Sequence, residues 1–306
     1  MYGTVKFSYL TIMKDEYKLK LPRWYEDTKK YDLILTDDID SLMSCAILKA
    51  IKNWDIEYVM LFKADKNKSI DYMGITSNAT NEAVGVDLAL QNGKSFDNHL
   101  SRLHSDDKVN EECINLNFIK NVTRQNYFKK YNLSTVLLLW SLYDLPIPES
   151  EEGKMILLTI DSSYYSHFSR YQNDREMNKF YLCDVLGLDE LYECQQRHKQ
   201  SEFKDIEKKY NLNLKIVCKK GFLDTDIDLI GINLEIGWYS DIWCELPKVR
   251  FALHKTFRDI QVPITRTTTK LSDISQNPYS VALTNRDFLC YSEEIIESEE
   301  NHADTE

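Results

Sequence analysis

The first half of the chain alternates short apolar runs with amphipathic stretches. The run 33–35 leads into a cluster of carboxylates, and residues 42–52 then repeat apolar side chains at three- and four-residue steps. This pattern predicts a strand, a tight turn and a helix. Further buried strands are predicted over 56–62, 83–90 and 155–160, and a buried helix over 131–145. The alternation is typical of an α/β protein with a mostly parallel sheet flanked by helices.

The second half of the chain is less regular. We expect a long charged helix over 188–210, strands over 214–218 and 229–236, a helix interrupted near Pro247 over 240–260, and an extended segment over 261–270. A polar segment over 171–179 suggests a boundary between an N-terminal domain, 1–175, and a smaller α/β domain, 180–291, that binds substrate or a partner. The acidic residues 292–306 are expected to form a disordered tail.

Asn92-Gly93 is a strong signal for a two-residue hairpin turn. If these two residues form the loop, an antiparallel ladder places Asp87 opposite Asn98. Asp97 and His99 would then begin on the other face, unless the ladder ends before them.

The formal charge of −11 is concentrated at the C-terminus. Seven acids and no lysine or arginine lie in 292–306, so residues 1–291 carry −11 + 7 = −4. Such a mildly acidic body lacks the broad basic face of a general DNA-coating protein. The seven cysteines form no C-x-x-C pair, which argues against a zinc knuckle or a thioredoxin motif. The cysteine pattern, apolar runs far below ~18 residues and the lack of a secretory signal predict a cytoplasmic protein that does not enter a membrane.

Three carboxylates, Asp37, Asp38 and Asp40, crowd into four positions after the first predicted strand. Their mutual repulsion is best relieved by a bound cation. A turn that joins a strand to the next helix lies at the carboxyl ends of the strands, where open α/β folds bind ligands. The predicted strand 155–160 likewise ends in a carboxylate, Asp161. The alternative is that Asp40 or Ser41 caps the helix and the other acids favour its positive end.

Together these residues resemble the DHH family of metal-dependent phosphoesterases. Asp38-Ile39-Asp40-Ser41 resembles the D-x-D motif after the first strand, and Asp87 resembles the lone aspartate of the second motif. Asp97-Asn98-His99 is similar to the Asp-His-His motif, and Asp161 resembles the aspartate of the fourth motif. The resemblance covers about residues 30–170.

The resemblance implies a phosphodiesterase that acts on a short nucleic acid or a small nucleotide. Hydrolysis needs an activated water and neutralisation of developing charge, which one or two Mn²⁺ or Mg²⁺ ions supply. The metal ligands implied by the resemblance are Asp38, Asp40, Asp87, Asn98 and Asp161. His99, with Asp97 beside it, would contact the scissile phosphate or assist proton transfer.

The chain departs from the family pattern in two respects. Thr36 and Ile34 stand where a histidine or aspartate precedes the D-x-D motif, and Asn98 replaces the first histidine of the third motif. These departures favour an alternative, a catalytically inactive DHH-like protein that binds a nucleotide or a protein partner. A haloacid-dehalogenase-like phosphatase and an unrelated α/β protein also stay open, as does a homo-oligomer.

Overall fold

The computed structural model describes residues 12–63, 70–265 and 270–296. In these ranges the strands are β1 Asp32–Leu35, β2 Asp55–Leu61, β3 Ile70–Ile75, β4 Ala83–Val86, β5 Ser95–Phe96, β6 Cys113–Ile114, β7 Val217–Lys219, β8 Phe222–Asp224, β9 Ala252–Pro263, β10 Ser280–Asn285 and β11 Phe288–Glu294. The helices are α1 Asp15–Lys18, α2 Ile39–Lys52, α3 Leu116–Ile119, α4 Thr135–Leu142, α5 Glu151–Thr159, α6 Gln172–Lys179, α7 Asp189–Arg197, α8 Gln200–Lys209 and α9 Leu229–Ser240. A π-helical turn, Phe180–Val185, follows α6.

Nine strands form one mixed sheet in the order β10-β11-β9-β3-β2-β1-β4-β5-β6. The five strands from β2 to β6 along this order are parallel to one another, and β3, β9, β11 and β10 add on in antiparallel fashion. The predicted α/β class is confirmed. The carboxyl ends of β1, β4 and β5 consequently meet at one edge of the sheet, as the parallel arrangement requires.

The sheet curls until β10 reaches the loop that follows β4. Leu90 and Ser280 form an antiparallel bridge, Val281 N donates to Ala89 O at 2.9 Å, and Leu283 N donates to Leu100 O at 2.8 Å. A small apolar cluster fills the inside of this curl, with Ile34, Met60, Met73, Leu88, Leu90 and Phe257 as its buried members. The C-terminal strands therefore form a wall that faces the carboxyl ends of β1 and β4.

Helices α2, α4 and α5 form the main core beside the sheet. Every residue of α4 is buried, and α5 is buried from Gly153 to Thr159. The Trp140 side chain in α4 and the Trp54 side chain before β2 are almost inaccessible to solvent. Because α5 packs on helices around it rather than on the sheet alone, it carries apolar side chains on all sides.

The predicted hairpin at Asn92-Gly93 is wrong. Strands β4 and β5 run parallel, with Gly85 opposite Ser95 and Val86 opposite Phe96. The predicted strand 83–90 ends at Val86, and residues 87–94 loop out to meet β10 before β5 begins. Gly93 still adopts a positive φ of 86°, so the turn signal marks a turn within this loop rather than a hairpin.

Four further predictions of element type are corrected. Met155–Ile160, expected as a strand, lies mainly in α5, and 229–236, also expected as a strand, lies in α9. The helix expected over 240–260 is absent beyond Ser240, the last residue of α9: residues 241–251 are irregular, and β9 begins at Ala252. The long helix over 188–210 is divided into α7 and α8 around His198. Short apolar runs do not distinguish a strand from a helix. Helix α5 is buried, whereas α9 is half-buried, with Ile232 and Ile236 inside and Ile230 and Leu234 exposed.

The separate domain predicted over 180–291 is not confirmed by the topology, because β9, β10 and β11 belong to the same sheet as β1. The predicted disordered tail begins too early, since residues 292–294 belong to β11; its later part, 297–306, lies outside the described residues. Within the described ranges, no helix combines the length and apolar character that crossing a membrane requires.

Candidate functional site

The turn between β1 and α2 positions the first carboxylates. The Asp38 side chain caps α2 by accepting a hydrogen bond from Ser41 N at 3.3 Å. The Ser41 hydroxyl accepts from Thr36 N at 2.8 Å and donates to Val86 O at 2.7 Å. This buried hydroxyl both accepts and donates a hydrogen bond, so its polar atom is satisfied. It thereby joins the end of β1, the start of α2 and the end of β4.

Lys215 neutralises the outer part of this turn. Its Nζ lies 2.9 Å from Asp37 Oδ1 and 3.1 Å from Asp38 Oδ2, and the neighbouring Ile216 N donates to Asp37 O at 2.7 Å. Burial nevertheless raises the pKa of Asp37 to about 6, with Lys215 opposing the rise. Lys215 lies 178 residues from Asp37 along the chain, and no local pattern in the sequence points to it.

Asp40 points toward the N-terminus of α4. Its two carboxylate oxygens accept hydrogen bonds from Thr135 N at 2.9 Å and Val136 N at 2.8 Å. These are the first two N–H groups of α4, which otherwise lack partners within the helix and favour a negative charge. Asp40 is 2% exposed, and the hydrogen bond from Thr135 N only partly offsets the cost of a charge at this buried position.

Asp87 follows β4 directly and adopts a left-handed backbone conformation, with φ of 54°. Its Oδ1 accepts a hydrogen bond from Thr135 Oγ1 at 2.9 Å. Asp161, after α5, also has a positive φ, 49°. Left-handed residues other than glycine are uncommon, and they concentrate at functional sites.

Asp97 and His99 follow β5, next to Asp87. His99 Nδ1 lies 2.7 Å from Asp97 Oδ1 and 4.0 Å from Asp87 Oδ1, while Asn115 Nδ2 donates to Asp97 Oδ2 at 2.9 Å. The expectation that Asp97 and His99 begin on the face opposite Asp87 is therefore wrong. Because β4 and β5 are parallel, their carboxyl ends lie at the same edge of the sheet, and the three side chains that follow them lie there too.

Asn98 links the two remaining carboxylates. Its Nδ2 donates to Asp161 Oδ2 at 2.9 Å and to Leu133 O at 3.1 Å, and it lies 3.4 Å from Asp40 Oδ2. Since a backbone carbonyl can only accept, the contact with Leu133 fixes the amide nitrogen on this side. Asn98, predicted as a metal ligand, thus presents hydrogen-bond donors to the carboxylates instead of its oxygen.

A cavity of about 220 Å³ opens in front of these groups. Its described lining residues are Thr36, Asp37, Asp38, Phe62, Asp87, Leu88, Ala89, His99, Asp161, Lys215, Asp259, Ser280, Val281, Ala282, Cys290, Tyr291 and Ser292. The Thr36 hydroxyl is buried and has no hydrogen-bond partner among the described residues. A buried hydroxyl without a partner beside a polar cavity indicates a place for a ligand or a water.

The carboxylates are packed closely enough to change one another's pKa values. Burial, together with Asp87 and Asp161, raises the pKa of Asp40 well above its ordinary value. Burial and the nearby Asp38 raise the pKa of Asp87 to about 8. Burial opposes a charge on His99, but Asp97 and Asp87 prevail and raise the pKa of His99 to about 10. A divalent cation would relieve this repulsion.

The donor atoms fit such an ion. One ligand atom each from Asp87, Asp97 and His99 lies within 4.8 Å of the other two. Two carboxylates and an imidazole are a donor set that suits Mn²⁺ and related divalent ions. Asp38 and Asp161 line the same cavity and offer further oxygen ligands.

A second cluster, formed by Glu151, Cys194 and His198, has similarly close ligand atoms. Arg197 already pairs with both oxygens of Glu151, at 2.9 and 3.0 Å, and burial raises the pKa of the Cys194 thiol to about 12. A carboxylate neutralised by arginine and a protonated thiol are poor metal ligands. This cluster holds α5 and α7 together.

The predicted site residues do converge. One cavity is lined by Asp38, Asp87, Asp161 and His99. Directly behind it, Asn98 contacts Asp161 and Asp40 contacts the N-terminus of α4. Whether these residues bind a metal or catalyse a reaction stays a prediction. The sequence reasoning missed Lys215 and Thr135, which reach the site from distant segments.

Comparison of the chain with protein-family models, with curated proteins and with solved structures finds no match.

Proposed function

We propose that the chain is a divalent-metal-dependent phosphodiesterase of the DHH type that hydrolyses a short nucleic acid or a small nucleotide. The observation that carries the proposal is the convergence of carboxylates from four separated segments on one cavity, with an Asp97–His99 pair beside them. A fold keeps such repelling charges together at a cost, and that cost is explained if a cation binds among them.

Each group has a chemical task under this proposal. Mn²⁺ or Mg²⁺, held by Asp87, Asp97 and His99 or by the neighbouring Asp38 and Asp161, would neutralise phosphate oxygens and lower the pKa of a water. His99 faces the cavity with its side chain 38% exposed, and its Nδ1 bond to Asp97 fixes the ring. When the ion is held by Asp38 and Asp161 rather than by His99, the imidazole is free to be protonated and can donate a hydrogen bond to a phosphate oxygen or a proton to a leaving group.

The test is release of nitrophenolate from bis(p-nitrophenyl) phosphate with Mn²⁺, with Mg²⁺ and with EDTA. The informative variant is Asp38→Asn, because asparagine retains the ability to cap α2 while the ligand charge is lost. Asp226→Asn, at an exposed aspartate away from the cavity, is the matched control. We expect metal-dependent release that falls at least about a hundredfold in Asp38→Asn and is unchanged in Asp226→Asn.

A second candidate function follows from the donors already present in the site. Lys215 pairs with Asp37 and Asp38, and the Asn98 amide donates to Asp161. These side chains supply positive charge and hydrogen bonds where a metal-dependent enzyme would use ions. The alternative is therefore a catalytically inactive DHH-like protein that binds a nucleotide or a protein partner. Nucleotide binding that persists in EDTA, without hydrolysis in any metal, would favour it.

A further inference from the structure

Lys215 is unusual among the cavity residues. Of the described residues that line the cavity, it alone is a lysine or arginine, whereas five are aspartates: Asp37, Asp38, Asp87, Asp161 and Asp259. A phosphoester is an anion, so an acidic cavity repels it unless cations intervene. The side chain that contacts Asp38 is therefore also a cation in the cavity wall that an entering phosphate can meet.

The segment that carries Lys215 is anchored, but its side chain is not enclosed. Ile216 is buried and its N–H bonds to Asp37 O, while Thr225 Oγ1 donates to Lys215 O at 3.2 Å. The Lys215 side chain itself is 54% exposed. A fixed backbone with a flexible four-carbon stem lets the ammonium group move between partners a few ångströms apart.

We propose that Lys215 is a displaceable internal cation, which balances Asp37 and Asp38 until a divalent ion binds at Asp38 and which then contacts the substrate phosphate. This inference rests on the proposed metal-dependent function. The ammonium and a metal ion at Asp38 repel each other, and the ion, with its double charge, competes better for the carboxylate oxygen. Lys215 therefore weakens metal binding and strengthens anion binding.

The first experiment measures Mn²⁺ affinity by isothermal titration calorimetry on protein stripped with EDTA. The variant Lys215→Met retains the length of the side chain without its charge, and Lys215→Arg retains the charge. Lys219→Met, at an exposed lysine paired with Asp224 in the neighbouring hairpin, is the matched control. We expect the dissociation constant for Mn²⁺ to fall about tenfold in Lys215→Met and to stay unchanged in the other two variants.

The second experiment measures binding of inorganic phosphate to the Mn²⁺-loaded proteins. We expect Lys215→Met to weaken phosphate binding about tenfold, and Lys219→Met to leave it unchanged. Circular dichroism checks that every variant is folded, and Lys215→Gln, which also removes the charge, replaces Lys215→Met in both experiments if the methionine variant is not.

The outcomes separate the two proposals. If the wild-type protein binds Mn²⁺ and Asp38→Asn binds it more weakly, but Lys215→Met binds it no more tightly than wild type, the role of Lys215 is overturned and the proposed function stands. Unchanged phosphate affinity in Lys215→Met overturns the second half of the inference in the same way. If none of the proteins binds Mn²⁺, both the inference and the proposed function are overturned.

Discussion

Replacing Asp87 with asparagine should stabilise the metal-free protein, and the gain should depend on pH. Asp87 is 7% exposed and lies among other carboxylates. Asparagine keeps an oxygen that can accept from the Thr135 hydroxyl, and it tolerates the left-handed backbone at this position about as well as aspartate does. The substitution therefore removes the buried charge while leaving the local geometry in place.

The direction in which pH changes the free energy of unfolding follows from the raised pKa of Asp87. Burial and the neighbouring Asp38 raise the pKa of Asp87 from its ordinary value of 3.8 to about 8 in the folded chain. Between these values the folded protein holds a proton that the unfolded chain has lost, so the free energy of unfolding falls as the pH rises. The stabilising contribution of Asp87 to the free energy of unfolding is fully present below pH 4 and is lost as the pH rises through about 8.

Each pKa unit corresponds to about 1.4 kcal/mol, so the rise from 3.8 to about 8 corresponds to at most about 6 kcal/mol of lost stability when Asp87 is charged. Asp87 also raises the pKa of Asp40, so the neighbouring carboxylates adjust when Asp87 is replaced and one substitution recovers only part of this free energy. We expect Asp87→Asn to raise the free energy of unfolding by about 2–3 kcal/mol at pH 8 and by less than about 1 kcal/mol near pH 4.

The assay is urea unfolding at several pH values between 4 and 9 in the presence of EDTA, followed by circular dichroism. A gain that is the same at all pH values, or a loss of stability at pH 8, would refute the reasoning about the buried charge. Adding Mn²⁺ at pH 8 should reverse the order of the two proteins, because the ion stabilises only a folded protein that binds it.

Two further predictions concern neighbouring side chains. Asn98→His replaces a donor amide with an imidazole whose second nitrogen is free to bind a metal, and calorimetry should show Mn²⁺ binding about tenfold tighter than in the wild-type protein; equal or weaker binding would argue against an ion next to Asp161. Ser41→Ala leaves two buried backbone groups without partners and should lower the free energy of unfolding by about 1–3 kcal/mol. Ser44→Ala, one turn later, removes a buried hydroxyl that has no partner among the described residues, so thermal unfolding should show a change of less than about 1 kcal/mol; similar losses in both variants would contradict this account.

The first strand, the turn after it and helix α2 could be predicted from sequence because each part carries its own signal. Apolar residues precede a cluster of acids, and a helical period follows Asp38, which caps the helix. Helix α4 was predictable for the same reason, since Ser134 caps it. The meeting of Asp38, Asp87 and Asp161 was also predictable, but through resemblance to a family rather than through local pattern.

Other parts of the fold depend on contacts that no local pattern encodes. The run Met155–Ile160 is equally compatible with a buried strand, and only the helices packed around α5 decide the matter. Asp161 reaches the cavity from the end of this helix. Asn92-Gly93 predicts a hairpin after Asp87, but Leu90 pairs instead with Ser280, far along the chain, and no local pattern encodes that contact. Lys215 escaped prediction because its partners are equally remote.

The bridge between Leu90 and Ser280 has a consequence for how the protein is made. Strands β10 and β11 are the last described elements to leave the ribosome, yet they form the wall that faces Asp87. Pairing of such distant segments is slow, because a long loop must close before any contact compensates for the lost entropy. A nascent chain that has emerged only as far as β9 already contains every proposed ligand and lacks the wall in front of them, so the binding chamber is completed only after β10 and β11 have emerged.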